Sequence, residues 1–172
     1  GSFACQWAKA LGVKLIGTVS SAEKAARALE QGAWATIDYS HENVAQRVLE
    51  LTNGNKCPVV YDGVGKDTWE TSLDCVAQRG LLVSFGNASG AVTGVNLGIL
   101  AQKGSLFVTR PTLAGYADTP SRLQAMADEL FAMIASGQLQ VEISNRYALK
   151  DAALAQTALS ARQTTGSSIL LP

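Results

Sequence analysis

The chain has 172 residues, of which 47% are hydrophobic and 16% charged, a size and composition typical of one globular domain. Its 14 basic residues balance 14 acidic ones, which argues against binding to nucleic acid or an acidic membrane through a basic surface. Three widely spaced cysteines and the lack of an apolar run of about 20 residues predict a cytoplasmic protein without disulfides or membrane spans.

Helices and strands alternate along most of the chain. The predicted elements, in order, are helix 2–11, strand 13–19, helix 22–31, strand 36–38, helix 42–51, strand 59–61, helix 67–77, strand 81–85 and strand 106–108. Continuously apolar strands separated by single helices indicate a parallel α/β sheet covered on both faces. Because the first helical pattern begins at residue 2, we expect the natural protein to extend upstream.

The regular alternation of strands and helices ends after Gly104. A loop with Pro111, Gly115 and Pro120 leads into a helix whose apolar positions recur at helical spacing, which predicts a buried face. These positions are Leu123, Met126, Ala127, Leu130, Phe131 and Ile134, and we expect the methionines to fill the core. A strand near Val141, a helix over 150–161 and a strand over 168–171 are predicted to complete the chain.

Ligands bind to parallel sheets at the carboxyl ends of the strands, so the loops after the strands are the candidate site. After the first strand come Ser20, Ser21 and Lys24. A cation here suits the 2′-phosphate of NADP, whereas NAD sites usually carry an acidic residue for the ribose hydroxyls. Ordinary helix contacts would explain Ser20 and Glu23. Ser20 and Glu23 have capping-box spacing, and Glu23 and Arg27 have the spacing of an ion pair. Helix contacts do not explain Lys24, because the helix dipole disfavours a cation near the N-terminus. The alternative to a cofactor contact is that Lys24 is a solvated surface residue.

Three further loops follow the next strands. Tyr39 is predicted either to lie beside the adenosine of a cofactor or to cover the sheet edge. Gly63 and Val64 belong to a Gly-x-Gly turn that turn chemistry alone would also explain. The next loop consists of small residues, which would let backbone amides approach a ligand: Gly86, Asn87, Ala88 and Ser89.

Other chemistries have little support in the sequence. There is one histidine, His41, and no cysteine pair has CxxC spacing, so we predict no metal site. No Gly-x-Ser-x-Gly elbow and no Walker loop occur. Hydride transfer needs no acid–base pair because the cofactor carries out the reaction, and we assign no catalytic residue.

An ordered series of segments resembles the zeta-crystallin-type quinone oxidoreductases, a zinc-independent branch of the medium-chain dehydrogenase/reductase superfamily. The segments are GSFACQWAKALG, KLIGTV with SAEK, GAWATIDY, VVYDGVGKDTWETSLDCVAQRGLLVSFGNASG, LFVTRP, YALKDA and TGSSILLP. The resemblance, which covers essentially the whole chain, implies an α/β fold with a Rossmann-type doubly wound parallel sheet that lacks its first strand. It further implies an NADPH-binding domain over 1–138 and a C-terminal segment over 139–172 that packs on a catalytic domain missing from this chain.

The resemblance also implies roles for individual residues. Gly1 corresponds to the last glycine of a phosphate-binding Gly-Gly-Val-Gly turn, Lys24 to a residue near the 2′-phosphate of NADPH, and Arg162 to a cofactor contact in the tail. The loop at 63–64 would lie beside the cofactor, and the loop at 86–89 near its nicotinamide end. The full set of expected cofactor-binding residues is Gly1, Ser20, Ser21, Lys24, Tyr39, Gly63, Val64, Gly86, Asn87, Ala88, Ser89 and Arg162.

The implied function is NADPH:quinone oxidoreductase in the full-length protein, and the 172-residue chain alone is expected to be inactive. Two alternatives stay open: an NADPH-dependent enoyl or alkenal reductase of the same superfamily, and a non-catalytic, crystallin-like nucleotide-binding module. A homodimer is also implied, with its interface at the strand around Leu106, Phe107 and Val108. We expect this strand at the edge of the sheet, with few charges to block pairing.

Overall fold

The computed structural model describes residues 1–161, 163–164 and 166–172 of an α/β chain. The strands are β1 (Ile16–Val19), β2 (Ala35–Asp38), β3 (Cys57–Asp62), β4 (Val76–Ser84), β5 (Phe107–Thr109), β6 (Ile143–Ala148) and β7 (Ser167–Leu171). The helices are α1 (Ser2–Ala10), α2 (Ala22–Glu30), α3 (Val44–Leu51), α4 (Trp69–Cys75), α5 (Gly98–Gln102), α6 (Leu113–Tyr116), α7 (Pro120–Ala135) and α8 (Ala152–Ser160), the last preceded by a 3₁₀ turn (Leu149–Asp151).

The strands form three separate parallel sheets. β1 pairs with β2, β4 lies between β3 and β5, and β6 pairs with β7. A doubly wound sheet has the order 3-2-1-4-5-6, and the first two sheets reproduce this order without the strand that would lie between β1 and β3. The predicted fold class is therefore confirmed.

Apolar side chains form two core clusters. The first comprises Leu73, Val76, Leu82 and Leu106, and it packs α4 and the residue before β5 against β4. The second comprises Ile37 of β2, Val48 of α3 and Cys75 at the end of α4, with Ile16 of β1 and Val60 of β3 packed against it. The second cluster therefore joins the two sheets of the nucleotide-binding half through side chains.

Several element boundaries differ from those predicted. β4 begins at Val76 rather than 81, because Val76 already pairs with Cys57 of β3. Its first part is irregular, since Arg79 has a φ of 57° and the pairing register shifts between Cys57 and Val59. The stretch predicted as a loop between Pro111 and Pro120 contains α6, which is capped by the Thr112 hydroxyl.

Helix α7 forms as predicted, but its apolar face is not buried as expected. Leu123 is 55% exposed and Phe131 is 63% exposed, whereas Met133, outside the predicted stripe, is buried. The expectation that both methionines fill the core holds for Met133 and is wrong for Met126, which is 42% exposed. In the part of the chain that the structure describes, nothing covers this face.

A helix that crosses a bilayer needs about 20 predominantly apolar residues. None of the helices formed by the described residues is long and apolar enough to cross a membrane. The three cysteines are free thiols, and burial raises the pKa of all three, that of Cys75 to about 11. A raised pKa favours the thiol over the thiolate, which is the nucleophilic form.

Candidate functional site

The ends of β1 and β2 bring the first group of predicted site residues together. Val19 lies opposite Asp38 in the parallel ladder, so the two strands end at the same level. The Tyr39 amide donates to the Val19 carbonyl at 3.1 Å, which places Tyr39 beside Ser20. The tyrosine side chain is 50% exposed, so it does not cover the sheet edge.

Lys24 is held at this edge by a hydroxyl group. Its Nζ donates to Ser20 Oγ at 2.9 Å, while its backbone amide donates to Ser21 Oγ at 3.3 Å. The N-cap of α2 is thus Ser21, and the predicted capping box between Ser20 and Glu23 is wrong because the Ser20 hydroxyl accepts from Lys24 instead. Among the ion pairs of the described residues, none includes Lys24.

The acidic residues after β2 have partners of their own. The Asp38 carboxylate accepts from the Ser40 amide at 3.0 Å. Glu42 accepts from the Asp38 amide at 2.8 Å and pairs with Arg47, also at 2.8 Å. These contacts fix the turn, and among the described residues neither carboxylate pairs with the ammonium group of Lys24.

The other cation of α2 points away from this edge. Arg27 pairs with Glu142 at 2.7 Å and approaches Ser144 at 3.4 Å, so the predicted ion pair with Glu23 is wrong. Because the partner lies 115 positions further along the chain, no local pattern could have indicated it. Arg27 instead links α2 to the segment that leads into β6.

The turn after β3 is built on a buried carboxylate. Asp62, 5% exposed, accepts from the amides of Val64 at 2.8 Å and Gly65 at 3.0 Å, and from the hydroxyls of Thr68 and Ser72 at 2.8 and 2.7 Å. Burial alone would raise the pKa of the Asp62 carboxyl, but these hydrogen bonds outweigh it and lower the pKa below its usual value. No local pattern in the sequence indicates this role of Asp62, because its donors are identified only once the turn has formed.

The turn after β3 and the loop after β4 are hydrogen-bonded to each other. The Ala88 amide donates to the Gly63 carbonyl at 3.3 Å, and the Ser89 amide donates to the Val64 carbonyl at 2.8 Å. Ser89 Oγ also donates to the Val64 carbonyl, at 2.9 Å. The expectation that the amides of this loop approach a ligand is therefore wrong for Ala88 and Ser89, because both are used within the protein.

Gly86 lies at the tightest point between the two loops. A Cβ atom there would overlap the Gly63 carbonyl oxygen and come within 2.8 Å of the Gly63 carbonyl carbon and Cα. Gly65 is similarly confined, since its φ is 94° and a Cβ would lie 2.5 Å from the Gly90 oxygen. The close approach that requires glycine at position 86 is made by the neighbouring loop of the same chain.

Arg110, which is not among the predicted site residues, also contacts this part of the site. It follows β5, and its Nη1 donates to the carbonyls of Ser84 at 2.8 Å and Gly86 at 3.1 Å. The one available sequence signal was its position directly after a strand, within LFVTRP.

The remaining predicted residues lie at or near the chain ends. Gly1 is the N-cap of α1, and it lines a cavity of about 340 Å³ together with Arg27, Glu142 and Ser167. Arg162 lies outside the described residues. Among those described, no group of three or more His, Cys, Asp or Glu side chains could hold a metal ion.

Comparison with known proteins places this geometry in a family. Residues 1–132 match the model of the zinc-binding dehydrogenase family. The quinone oxidoreductase of Pseudomonas aeruginosa is 76% identical over 172 residues, which are all of this chain and 53% of the relative. A 2-haloacrylate reductase from a Burkholderia species is 40% identical over an alignment of 173 positions, which covers 100% of this chain and 52% of the relative.

Solved structures give the same result. The crystal structure of Escherichia coli quinone oxidoreductase complexed with NADPH is 59% identical and superposes with a TM-score of 0.96, covering 100% of this chain and 53% of that one. The chain thus spans about half the length of the relatives it matches. The chain belongs to the zinc-binding dehydrogenase family of the medium-chain dehydrogenase/reductase superfamily, in which it is similar to the quinone oxidoreductases.

Proposed function

We propose that the full-length protein containing this chain is an NADPH-dependent quinone reductase. The observation that carries the proposal is Lys24, whose ammonium group is held at the end of β1 by Ser20 and forms no ion pair with the carboxylates of the described residues. Two similar proteins, from P. aeruginosa and E. coli, are named quinone oxidoreductases, and the latter was crystallised with NADPH. These names support both the cofactor and the substrate class.

The donor set at the ends of β1 and β2 fits the adenosine end of NADPH. Lys24 supplies a positive charge for the 2′-phosphate, and Ser20 and Ser21 supply hydroxyls beside it. Tyr39 presents a half-exposed ring for the adenosine. Gly1, at the N-terminus of α1, lies where the helix dipole and free amides would favour the pyrophosphate.

The second group of loops would hold the rest of the cofactor. Gly63 and Val64 lie beside its path, and the loop of Gly86, Asn87, Ala88 and Ser89 lies at its nicotinamide end. Arg162 stays a proposed contact from the tail. When bound, NADPH supplies the hydride, and the contribution of these residues is to bind the cofactor and fix the position of its reactive ring.

The main alternative acceptor is an activated carbon–carbon double bond. The 2-haloacrylate reductase that is 40% identical to this chain is the observation in its favour. A non-catalytic nucleotide-binding module is the third candidate. All three share the NADPH-binding half and differ in the acceptor pocket.

Steady-state oxidation of NADPH by the full-length protein distinguishes these candidates. The assay compares quinones, enones and 2-haloacrylates as acceptors, with NADPH binding measured separately by calorimetry. We expect the highest kcat/KM with quinones and a large loss of that activity in Lys24→Ala. Faster turnover of enones or haloacrylates would favour the alternative enzyme, and NADPH binding without turnover would favour the non-catalytic module.

The domain division and location follow from the same proposal. Residues 1–138 form the NADPH-binding domain and residues 139–172 the C-terminal segment of the catalytic domain. In support, β6 and β7 pair with each other, and no ladder between described residues joins them to the other five strands.

Three free cysteines suit a cytoplasmic location, and the balanced charge suits a small-molecule partner rather than nucleic acid or a membrane. Zinc independence also stays a prediction.

We further propose a homodimer in which β5 lies at the interface. β5 is an edge strand of its sheet, and Phe107 and Val108 are 63% and 36% exposed. Leu106 was expected to share this surface, but it is 6% exposed and packs with Leu73 and Leu82 in the core. The interface is therefore centred on Phe107 and Val108.

A further inference from the structure

Arg110 reaches across the sheet because of the register between β4 and β5. Val83 lies opposite Thr109, so Arg110 comes next to Ser84 at the point where β4 ends. From there its guanidinium Nη1 contacts the Ser84 carbonyl at 2.8 Å and the Gly86 carbonyl at 3.1 Å. One side chain thus binds two carbonyl groups, two residues apart, where the chain leaves β4.

Asn87 extends this contact into the loop. With its amide oriented so that both polar atoms have partners, Nδ2 donates to the Gly86 carbonyl at 2.9 Å and Oδ1 accepts from Arg110 Nη2 at 3.2 Å. The guanidinium group is planar and presents its donors in a fixed fork, so it can bind several oxygens at once and set their relative positions. Three oxygens of residues 84–87 are therefore fixed relative to β5.

The partners of Arg110 are all neutral. None of the ion pairs formed by the described residues includes Arg110, and the residue is exposed. An exposed arginine bound to carbonyl oxygens contributes little to global stability, because water competes for the same donors. Its effect is concentrated on the conformation of the loop.

We propose that Arg110 is a positioning residue for hydride transfer, which acts by fixing the loop of residues 86–89 against the nicotinamide end of the cofactor. This inference rests on the proposed function, since it assigns the loop to the bound cofactor. The proposed contact of Lys24 with the 2′-phosphate lies at the ends of β1 and β2, apart from the residues that Arg110 touches. Arg110 therefore affects the rate of the chemical step more than it affects cofactor binding.

The test compares Arg110→Met, Arg110→Lys and Arg122→Met in the full-length protein. Arg122 is an exposed arginine on α7 that pairs with Asp118. It is the matched control, because Arg122→Met removes the same positive charge as Arg110→Met. The measurements are kcat with a quinone, the Kd for NADPH, the thermal unfolding midpoint, and the primary isotope effect with NADPH deuterated at the transferred position.

In Arg110→Met we expect kcat to fall about 10- to 100-fold while the Kd for NADPH changes less than about threefold, because misplaced reactants slow chemistry without losing the phosphate contacts. The isotope effect rises as hydride transfer becomes rate-limiting, and Arg110→Lys recovers part of kcat. Arg122→Met behaves as the wild type in all four measurements.

Three results would overturn the inference. Unchanged kcat and isotope effect in Arg110→Met, with an active wild type, would remove the positioning role and leave the proposed function intact. A fall in kcat that merely parallels a large fall in the unfolding midpoint would assign Arg110 a structural role. If the wild-type protein binds NADPH but none of the quinones serves as an acceptor, the proposed function is overturned, and the inference with it.

Discussion

Lys24 carries a positive charge whose partner within the described chain is a neutral hydroxyl, that of Ser20. Replacing it with alanine removes a charge-assisted contact to the 2′-phosphate, which is worth about 1.5–3 kcal/mol or roughly 10- to 150-fold in affinity. We expect Lys24→Ala to weaken NADPH by this factor and to leave NADH nearly unchanged. Calorimetric titration with both cofactors checks it, with the exposed Lys150→Ala as the control. Equal losses for NADPH and NADH would contradict the assignment.

Asp62 links the folded state to pH. Its pKa is lower in the folded protein than the value of about 3.9 expected in the unfolded chain, so the unfolded state binds a proton more readily. The stability that Asp62 contributes is therefore complete above the unfolded pKa and is lost as the pH falls through the folded pKa.

We expect Asp62→Asn to lower the free energy of unfolding by about 1–3 kcal/mol near neutral pH, because an amide cannot accept from all four donors. The difference from the wild type narrows as the wild-type carboxyl becomes protonated in acid. Urea unfolding over a pH series measures this, with Asp128→Asn, an exposed acid on α7, as the control. A difference that stays constant down to strongly acidic pH would show that the charge of Asp62 is not involved.

Gly86 was first expected to matter because the cofactor approaches it, but the structure gives a different reason. A Cβ atom at position 86 meets the Gly63 backbone, so Gly86→Val forces the two loops apart even without cofactor. Overpacking of this kind costs about 1–3 kcal/mol, which denaturant unfolding of the cofactor-free protein would measure. Gly115→Ala is the control, since a Cβ there makes an ordinary 3.5 Å contact. Full stability with weakened NADPH binding would restore the original explanation.

Strand β5 lies at the edge of its sheet and has a neighbouring strand on one side among the described residues. It pairs with β4 on one side and presents Phe107 and Val108 on its exposed surface. A lysine at position 107 would place a charge on this surface and oppose pairing with a second copy. We expect Phe107→Lys to convert a dimer to a monomer in sedimentation velocity, with no loss of folded structure by circular dichroism. Leu113→Lys, an exposed apolar residue on the neighbouring α6, is the control. A dimer that survives Phe107→Lys would place the interface on another surface.

The elements themselves were largely predictable from the sequence, because apolar runs and the glycines that close helices are local signals. Their boundaries were less so. The early start of β4 depends on Val76 pairing with Cys57, and this contact forms only when the two segments meet. The N-cap of α2 also depends on a contact that forms on folding. By residue type either serine could cap the helix, but the Ser20 hydroxyl accepts from Lys24 Nζ and Ser21 is the cap.

At the scale of the molecule, the order of the strands and the positions of the four loops were predictable, because parallel strands end at the same edge of a sheet. The contacts that fix the loops were not. Arg110 binds carbonyls 24 and 26 positions away, and Arg27 pairs with Glu142. Such partners are set by tertiary structure and leave no periodic pattern in the sequence. The prediction for α7 was wrong for a different reason: helical periodicity marks an apolar face but does not show whether another part of this chain covers it.

The cluster of Ile37, Val48 and Cys75 joins the β1–β2 sheet to the β3–β4–β5 sheet without a shared backbone ladder in the described chain. Apolar contacts are non-directional, and burial of these side chains, rather than backbone hydrogen bonds between described residues, joins the two sheets of this chain. We expect the two sheets of the 172-residue chain to open separately. Native-state amide exchange should show this, because Ile37→Ala, at a cost of about 2–5 kcal/mol, would speed exchange in β1 and β2 first. Leu73→Ala, in the other cluster, would speed it in β4 and β5 instead.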